Sequence, residues 1–522
     1  MKPSIFNDVI GPVMRGPSSS HTAASHRIGT IMRQFCSPEY GRVVVEFHNK
    51  GSLATTYEGQ GTAMGLISGL LGLSILDPSI VRYQDLAKDR NLNIEFKITD
   101  YEAIHPNTYK ILVESPGHER FEIVAVSTGG GMIRVLAVNG FEVSILGDYY
   151  ETLVCCASPS LDKIEGLFGK LKERTLHTKI DLVQQGQNGF LFNIKSRQSV
   201  LQTVETVFRD LEEVLWIRQI NPVLPVLSGL DQPLPFSSIE DMTTSEDLKN
   251  CDLAGLAIRY ESARAGIEPQ KVLSLMNDIV RHIDHSIQEG LKDTKYDDRI
   301  LGHQSHLIME AEKEQKIIRS PLNIIIAYVT ALMESKSAME IIVAAPTAGS
   351  CGTLGGAIFG IAKHHPKDME TLSKAFLAAG LIGVFIADKY TFAAEEGGCQ
   401  VECGAASAMA AAGLVQLMGG NAEQAINASS MALQNSLGMI CDPVADRVEV
   451  PCLGKNILAA TNALNSANMS LAGFDPVIPL GEVIDAMRFV GNEMPSSLCC
   501  TGLGGLSLTP TAKRLHNKLQ RK

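Results

Sequence analysis

The stretch Thr152-Leu153-Val154-Cys155-Cys156-Ala157-Ser158-Pro159-Ser160-Leu161-Asp162-Lys163-Ile164 opens the part of the chain whose reading decides the fold. Residues 152–157 form a short apolar run broken by Ser-Pro-Ser, the pattern of a strand closed by a turn. Leu161, Ile164, Phe168 and Leu171 then recur at intervals of three and four, which puts them on one face of a helix. Residues 177–183 and 189–195 predict two further strands. Leu201, Val204, Phe208 and Leu211 predict a second amphipathic helix, and residues 214–220 a last strand. Strand, helix, strand, strand, helix, strand over residues 149–226 is the order of a ferredoxin-like βαββαβ module.

On the N-terminal side, residues 1–148 alternate β-branched or aromatic runs (43–47, 93–98, 121–127, 133–138, 142–146) with loops rich in Gly, Ser and His. One helix, 61–71, lies between them, and the segment predicts an α+β domain. On the C-terminal side, Pro222, Pro225, Pro233 and Pro235 precede Ser-Ser and Thr-Thr-Ser clusters, so 227–250 predicts a linker that cannot continue a helix. From 251 to 522 apolar residues return at helical spacing, as in Val272, Leu275, Ile279 and Ile283, in a background of Ala, Leu, Met and Gly. The expected fold is multidomain α+β with an all-α C-terminal domain.

A chain of 522 residues, 45% of them hydrophobic, suits about three domains with large cores. A net charge of −11 argues against nucleic acid or an anionic membrane as partner and leaves a small molecule. No secretory pattern follows Met1-Lys2, and the apolar run 375–387 ends at Asp388-Lys389, which predicts a buried helix rather than a span. Eleven cysteines are too sparse for a disulfide scaffold, so a cytoplasmic protein with reduced thiols is expected. Cys36, Cys155, Cys156 and Cys251 are expected to be small core or surface residues.

Three cysteines stand apart: Gly397-Gly398-Cys399-Gln400, Cys441-Asp442-Pro443-Val444 and Val450-Pro451-Cys452. Their separations are too wide for the compact pairs of zinc ribbons or ferredoxins, so spacing alone is weak. Their company is more specific: Pro17-Ser18-Ser19-Ser20-His21-Thr22, Gly51-Ser52-Leu53-Ala54, His105-Pro106-Asn107-Thr108, Ser127-Thr128-Gly129-Gly130-Gly131, Ala344-Ala345-Pro346-Thr347-Ala348-Gly349-Ser350-Cys351-Gly352 and Gly502-Leu503-Gly504-Gly505-Leu506. Over nearly its whole length the chain resembles the iron-sulfur L-serine dehydratases (L-serine ammonia-lyases), with β and α parts fused in that order. The module at 149–226 is similar to the ACT domain of the family's β part, although its turn reads Ser158-Pro159-Ser160 where a glycine is usual. That departure favours a pairing role, and a homodimer, over effector binding.

The resemblance implies that Cys399, Cys441 and Cys452 hold a [4Fe-4S] cluster by three irons, and that elimination from L-serine yields pyruvate and ammonia. Cys403, four residues after Cys399, is a candidate substitute ligand, and the bland alternative is a set of buried thiols. The substrate-binding set implied is Ser18, Ser19, Ser20, His21, Thr22, Gln60, Thr347, Ala348 and Gly349. Ser18–Thr22 also read as a simple N-cap, and both roles are compatible because a helix N-terminus attracts a carboxylate. Where the family has a histidine, which the resemblance implies is the general base, this chain has Gln60, whose amide cannot accept a proton at neutral pH. Cys499-Cys500 replaces an Arg-Glu pair. The catalytic candidates are then His105 and His21. Two alternatives stay open: a related cluster enzyme for another β-hydroxy or β-substituted acid, and a non-catalytic cluster-bearing regulator.

Overall fold

In the computed structural model, residues 2–36, 41–115, 120–157, 161–175, 178–184, 189–229, 233–246 and 251–519 are described. The N-terminal sheet contains β2 (Arg42–His48), β3 (Ile94–Thr99), β4 (Thr108–Glu114), β5 (Arg120–Gly129), β6 (Met132–Val138) and β7 (Phe141–Ile145) in the order β3-β2-β4-β5-β6-β7. Only the β2/β3 pair is parallel. Alternate residues such as Val43, Val45, Phe47, Tyr109, Ile111 and Val113 point into one core, as period-2 patterning requires. Strand β4 was not among the expected runs. It follows the His105-Pro106-Asn107 loop without a break, and the loop signal hides its start.

Helices Ala24–Phe35 and Thr62–Leu70 pack on this sheet and touch backbone to backbone. A Cβ on Gly29 would lie 2.4 Å from the Leu66 carbonyl oxygen, and one on Gly69 would lie 2.2 Å from that of His26. Glycine is therefore the only residue that allows this crossing.

Residues 150–220 form β8 (Tyr150–Cys156), helix Leu161–Arg174, β9 (Lys179–Gln184), β10 (Phe190–Ser196), helix Leu201–Phe208 and β11 (Val214–Ile220), with antiparallel sheet order β11-β8-β10-β9. The turn Ser158-Pro159-Ser160 lies outside the described residues. Val154, Cys156, Phe192 and Ile194 face the module's own helices. Leu153, Cys155, Leu191 and Ile220 on the other face belong to the core of the N-terminal sheet. Phe121 meets Trp216 at 5.6 Å, edge to face, and Arg218 Nε donates to the Phe35 carbonyl. Burial on both faces explains why β8 is a continuous apolar run, and it means the βαββαβ unit is not self-contained.

The C-terminal part is a helical assembly that includes Leu253–Ala265, Pro269–Lys292, Pro321–Ser337, Cys351–His364, Met369–Lys389, Cys403–Leu417, Ala422–Gln434, Cys452–Leu471 and Leu480–Glu493. Cys403–Leu417 is apolar all round and nearly fully buried, so its Ala and Gly residues let four neighbouring helices approach. The apolar run 375–387 lies inside Met369–Lys389. By length and composition that helix could cross a membrane, but here it is packed in the protein core.

Two boundaries differ from expectation. The 227–250 segment is not a simple linker: it contains a helix, Ile239–Thr244, and buries Phe236, Ile239 and Met242 in the helical core, with Phe236 stacked on Tyr260 at 5.6 Å. The first residues do not belong with the N-terminal sheet. Ile5, Phe6, Val9 and Ile10 insert into the helical core, and β1 (Val13–Met14) pairs with β12 (Ile342–Val343). Propensity misses both because tertiary burial, rather than local pattern, fixes them. Replacing Gly69 by Ala is expected to force the two helices apart and to destabilise the protein by about 2 kcal/mol, read from urea unfolding.

Candidate active site

The thiols of Cys399, Cys403, Cys441, Cys452 and Cys500 are all buried. Four of them, Cys399, Cys403, Cys441 and Cys500, pack with Ala394, Ala459 and the partly buried Met439. Cys403 and Cys452 are the first residues of their helices, and Cys351 opens a third. Helix N-termini present free N–H groups and partial positive charge, which favours thiolates and other anions. Burial acts against this. It pushes Cys452 up to about 12. Cys403, which donates its thiol hydrogen to Cys399, is also held well above its ordinary range, as is Cys441 through its contact with Cys500. Cys399 is lowered instead, because it receives the Cys403 thiol hydrogen and lies near the Lys455 ammonium. Lys455 donates to the Ile440 carbonyl (2.7 Å) and to Asp442 (2.8 Å).

Facing this thiol wall is the serine-rich loop. Ser18 is the N-cap of the helical turn Ser19–Ala23, which runs on into Ala24–Phe35, so the capping role is present. His21 is fully buried between Ser18 Oγ, 3.0 Å from Nδ1, and Thr56 Oγ1, 2.9 Å from Nε2. Thr56 donates its only hydroxyl hydrogen to the Ser52 carbonyl, so Nε2 carries the imidazole proton and Nδ1 accepts from Ser18. Desolvation lowers His21 to about 3 and raises the fully buried carboxyl of Glu395. The 3.7 Å approach of His21 Nδ1 to Glu395 is therefore made by a neutral imidazole and is not an ion pair.

The other expected residues are brought to the same region. Ser19 Oγ accepts from the Ala348 N–H at 3.1 Å, and the Ser20 carbonyl accepts from Ser127. Thr22 donates to the Gln60 carbonyl. Thr347 and Ser350 cap one another, and Thr347 Oγ1 donates to Glu402 at 2.6 Å. Gly349 makes room for that carboxyl, since a Cβ there would lie 2.9 Å from Glu402 Oε1. Gln60 Nε2 rests 3.9 Å from the Cys500 sulfur, so the two positions that depart from the family pattern touch each other. His105 Nδ1 accepts from the Asn107 N–H (3.0 Å), which leaves the ring proton on Nε2, donated to Glu396 at 2.8 Å.

Several participants were missed from sequence. Glu402 is raised to about 8, chiefly by burial and then by Cys399. Asn456 donates to the Gly349 and Cys452 carbonyls and reaches the Cys403 sulfur at 3.6 Å, joining the Thr347 turn to the thiols. Buried atoms without a hydrogen-bond partner collect here: Ser52 Oγ, Thr62 Oγ1, both amide atoms of Asn107, Tyr109 OH and Glu395 Oε2. Asn107 lies beside Glu395 and Tyr109 beside Thr62, so these polar groups form one buried cluster at the site. The available signal was the run of glutamates beside the cysteines, Glu395-Glu396 and Glu402. Among the described residues no three His, Cys, Asp or Glu side chains close on a point tightly enough for a single metal ion.

Residues 238–507 match the serine dehydratase alpha chain family, and this chain belongs to it. It is 37% identical over 250 residues to the probable L-serine dehydratase alpha chain of Bacillus subtilis (strain 168), covering 46% of this chain and 83% of that one. It is also 42% identical over 151 residues to the probable beta chain of the same organism, 29% of this chain and 67% of that one. L-serine dehydratase 1 of Escherichia coli (strain K12) is 30% identical over 291 residues, covering 53% of this chain and 62% of that protein. Relatives of both chain types are thus matched within one polypeptide.

The burial of neutral His21 has a measurable sign. The unfolded chain takes up a proton near pH 6.5 while the folded one waits until about 3, so stability is whole above pH 6.5 and is lost as pH falls toward 3. Between pH 7 and 5.5, the cluster-free wild type is expected to lose about 1 kcal/mol more than His21→Gln in urea unfolding.

Proposed function

We propose that this chain is an L-serine dehydratase, forming pyruvate and ammonia with a [4Fe-4S] cluster held by Cys399, Cys441 and Cys452. The observation that carries the reading is the meeting of a buried wall of soft thiol donors with the serine-rich loop and a set of orphaned polar atoms. Buried thiolate-forming cysteines are the donor chemistry of an iron-sulfur group. When bound, such a group held by three thiolates supplies a Lewis acid for the serine hydroxyl, a poor leaving group otherwise.

The chain's own residues do the rest. The turns at Ser18–Thr22 and Thr347–Gly349 offer hydroxyls and helix N-terminal N–H groups to the substrate carboxylate, and Asn107, Tyr109 and Glu395 offer acceptors and donors to the ammonium and carboxylate. The α-proton passes to His105; Gln60 cannot take it, and burial lowers His21 to about 3, too far below neutral pH for a general base. Loss of that proton and of hydroxide gives aminoacrylate, whose imine form hydrolyses to pyruvate and ammonia. The 149–226 unit acts as an ACT-like pairing module of a homodimer in the cytoplasm.

A second reading, elimination from another β-substituted acid, is favoured by one observation: the changed residues Gln60 and Cys500 are in contact at the edge of the site. Anaerobic reconstitution followed by a panel of β-hydroxy and β-substituted acids decides between the two. Cys399→Ser, Cys441→Ser and Cys452→Ser are each expected to remove the visible absorbance and the iron and sulfide content, and retention of both in all three would end the assignment. L-serine turnover is expected to be weak and to rise at least about tenfold in Gln60→His.

A further inference from the structure

A cavity of about 450 Å³ lies away from the thiol wall, where five separated parts of the chain meet. Its walls include Phe6 and Ile10 of the N-terminal segment, Leu224 of the segment leaving the βαββαβ unit, and Leu275 and Ile279 of Pro269–Lys292. None of the residues placed in the active site lines it. The size falls in the range of small-molecule sites, and the walls are mostly hydrocarbon.

One buried charge enters this space. Arg27 is 5% exposed. Its Nη1 donates to the Gly131 carbonyl and lies 3.7 Å from Met132 Sδ, while Nε and Nη2 meet no acceptor among the described residues. Among the described residues no carboxylate lies within ion-pair distance of Arg27, and Asp8 acts on it only through its field. The other polar groups at the cavity are His26, whose Nε2 bonds the Leu73 carbonyl, Asp278, which pairs with Arg281 at the surface, and the half-buried His282. A guanidinium taken out of water without a counter-charge is unfavourable, and in apolar surroundings its attraction for an anion is strong. Guanidinium also matches a carboxylate through paired N–H donors.

We propose that this cavity binds a small apolar carboxylate, its head on Arg27 and its hydrocarbon body among Phe6, Ile10, Leu224 and Ile279. The ligand class is a branched aliphatic amino acid or the corresponding 2-oxo acid, which share this chemistry. Arg27 stands on the helix that continues the serine-rich loop, so the occupant sits directly behind that loop.

Isothermal titration of the full-length, cluster-free protein with L-leucine and with 4-methyl-2-oxopentanoate tests the assignment without any catalytic readout. Saturable binding of one ligand per chain is expected, and the preferred compound shows whether an ammonium is read. Arg27→Met should weaken binding at least about tenfold while leaving the melting midpoint unchanged or higher, since it removes an unpaired buried charge. Ile279→Trp, which fills the cavity from another element, should abolish binding with the far-ultraviolet circular dichroism retained. Absence of binding at on the order of 1 mM of either compound, or binding that survives Ile279→Trp, overturns the proposal. So does a wild-type affinity in Arg27→Met, or a lowered melting midpoint in that variant together with unchanged binding.

Discussion

The carboxylate of Glu261, buried on the first long helix of the C-terminal assembly, anchors the N-terminal segment to that assembly. It accepts the Ser4 hydroxyl at 2.6 Å and the Ile5 N–H at 2.8 Å, and it is paired with Arg264 at 3.1 Å. A buried charge is tolerable only when its hydrogen-bonding capacity is met, and these three donors meet it. The segment so anchored places Ile5, Phe6, Val9 and Ile10 against Met369–Lys389, then pairs β1 with β12, and within a few residues becomes the serine-rich loop. The loop's position opposite the thiols thus depends on an anchor far from any chemistry. The Ser19 to Ala348 hydrogen bond completes the registration between the two halves.

At the site itself, two electrostatic effects oppose one another. The N-termini of Cys351–His364, Cys403–Leu417 and Cys452–Leu471 converge and favour negative charge, while near-complete burial of the thiols and of Glu395 and Glu402 disfavours it. Burial prevails at Glu395, Glu402, Cys403, Cys441 and Cys452, all of which are raised, while Cys399 is lowered. A thiol that coordinates a metal is deprotonated outright, so loading of this site is tied to proton release.

What could be read from the sequence follows from how local each feature is. The βαββαβ order was legible because each strand and helix carries its own period, in Leu161, Ile164, Phe168 and Leu171 for example. The helical character of residues after 251 was legible for the same reason. The fate of residues 4–14 was not, since nothing in Ile5-Phe6-Asn7-Asp8-Val9 distinguishes a segment that enters a distant helical core from one that caps a nearby sheet. The motifs named the loops that surround the site, but not Glu402 or Asn456, whose roles arise only when separate loops meet. The contact of Gln60 with Cys500 likewise joins two departures 440 positions apart.

The N-terminal anchor has a consequence for synthesis of the chain. Ser4 leaves the ribosome well before its partner Glu261, which follows 257 residues later. Until the helices around Glu261 and Met369–Lys389 exist, the apolar residues Ile5, Phe6, Val9 and Ile10 have no place to be buried. Contacts of such long sequence separation close late and slow folding. The serine-rich loop therefore acquires its final position only once those later helices have formed.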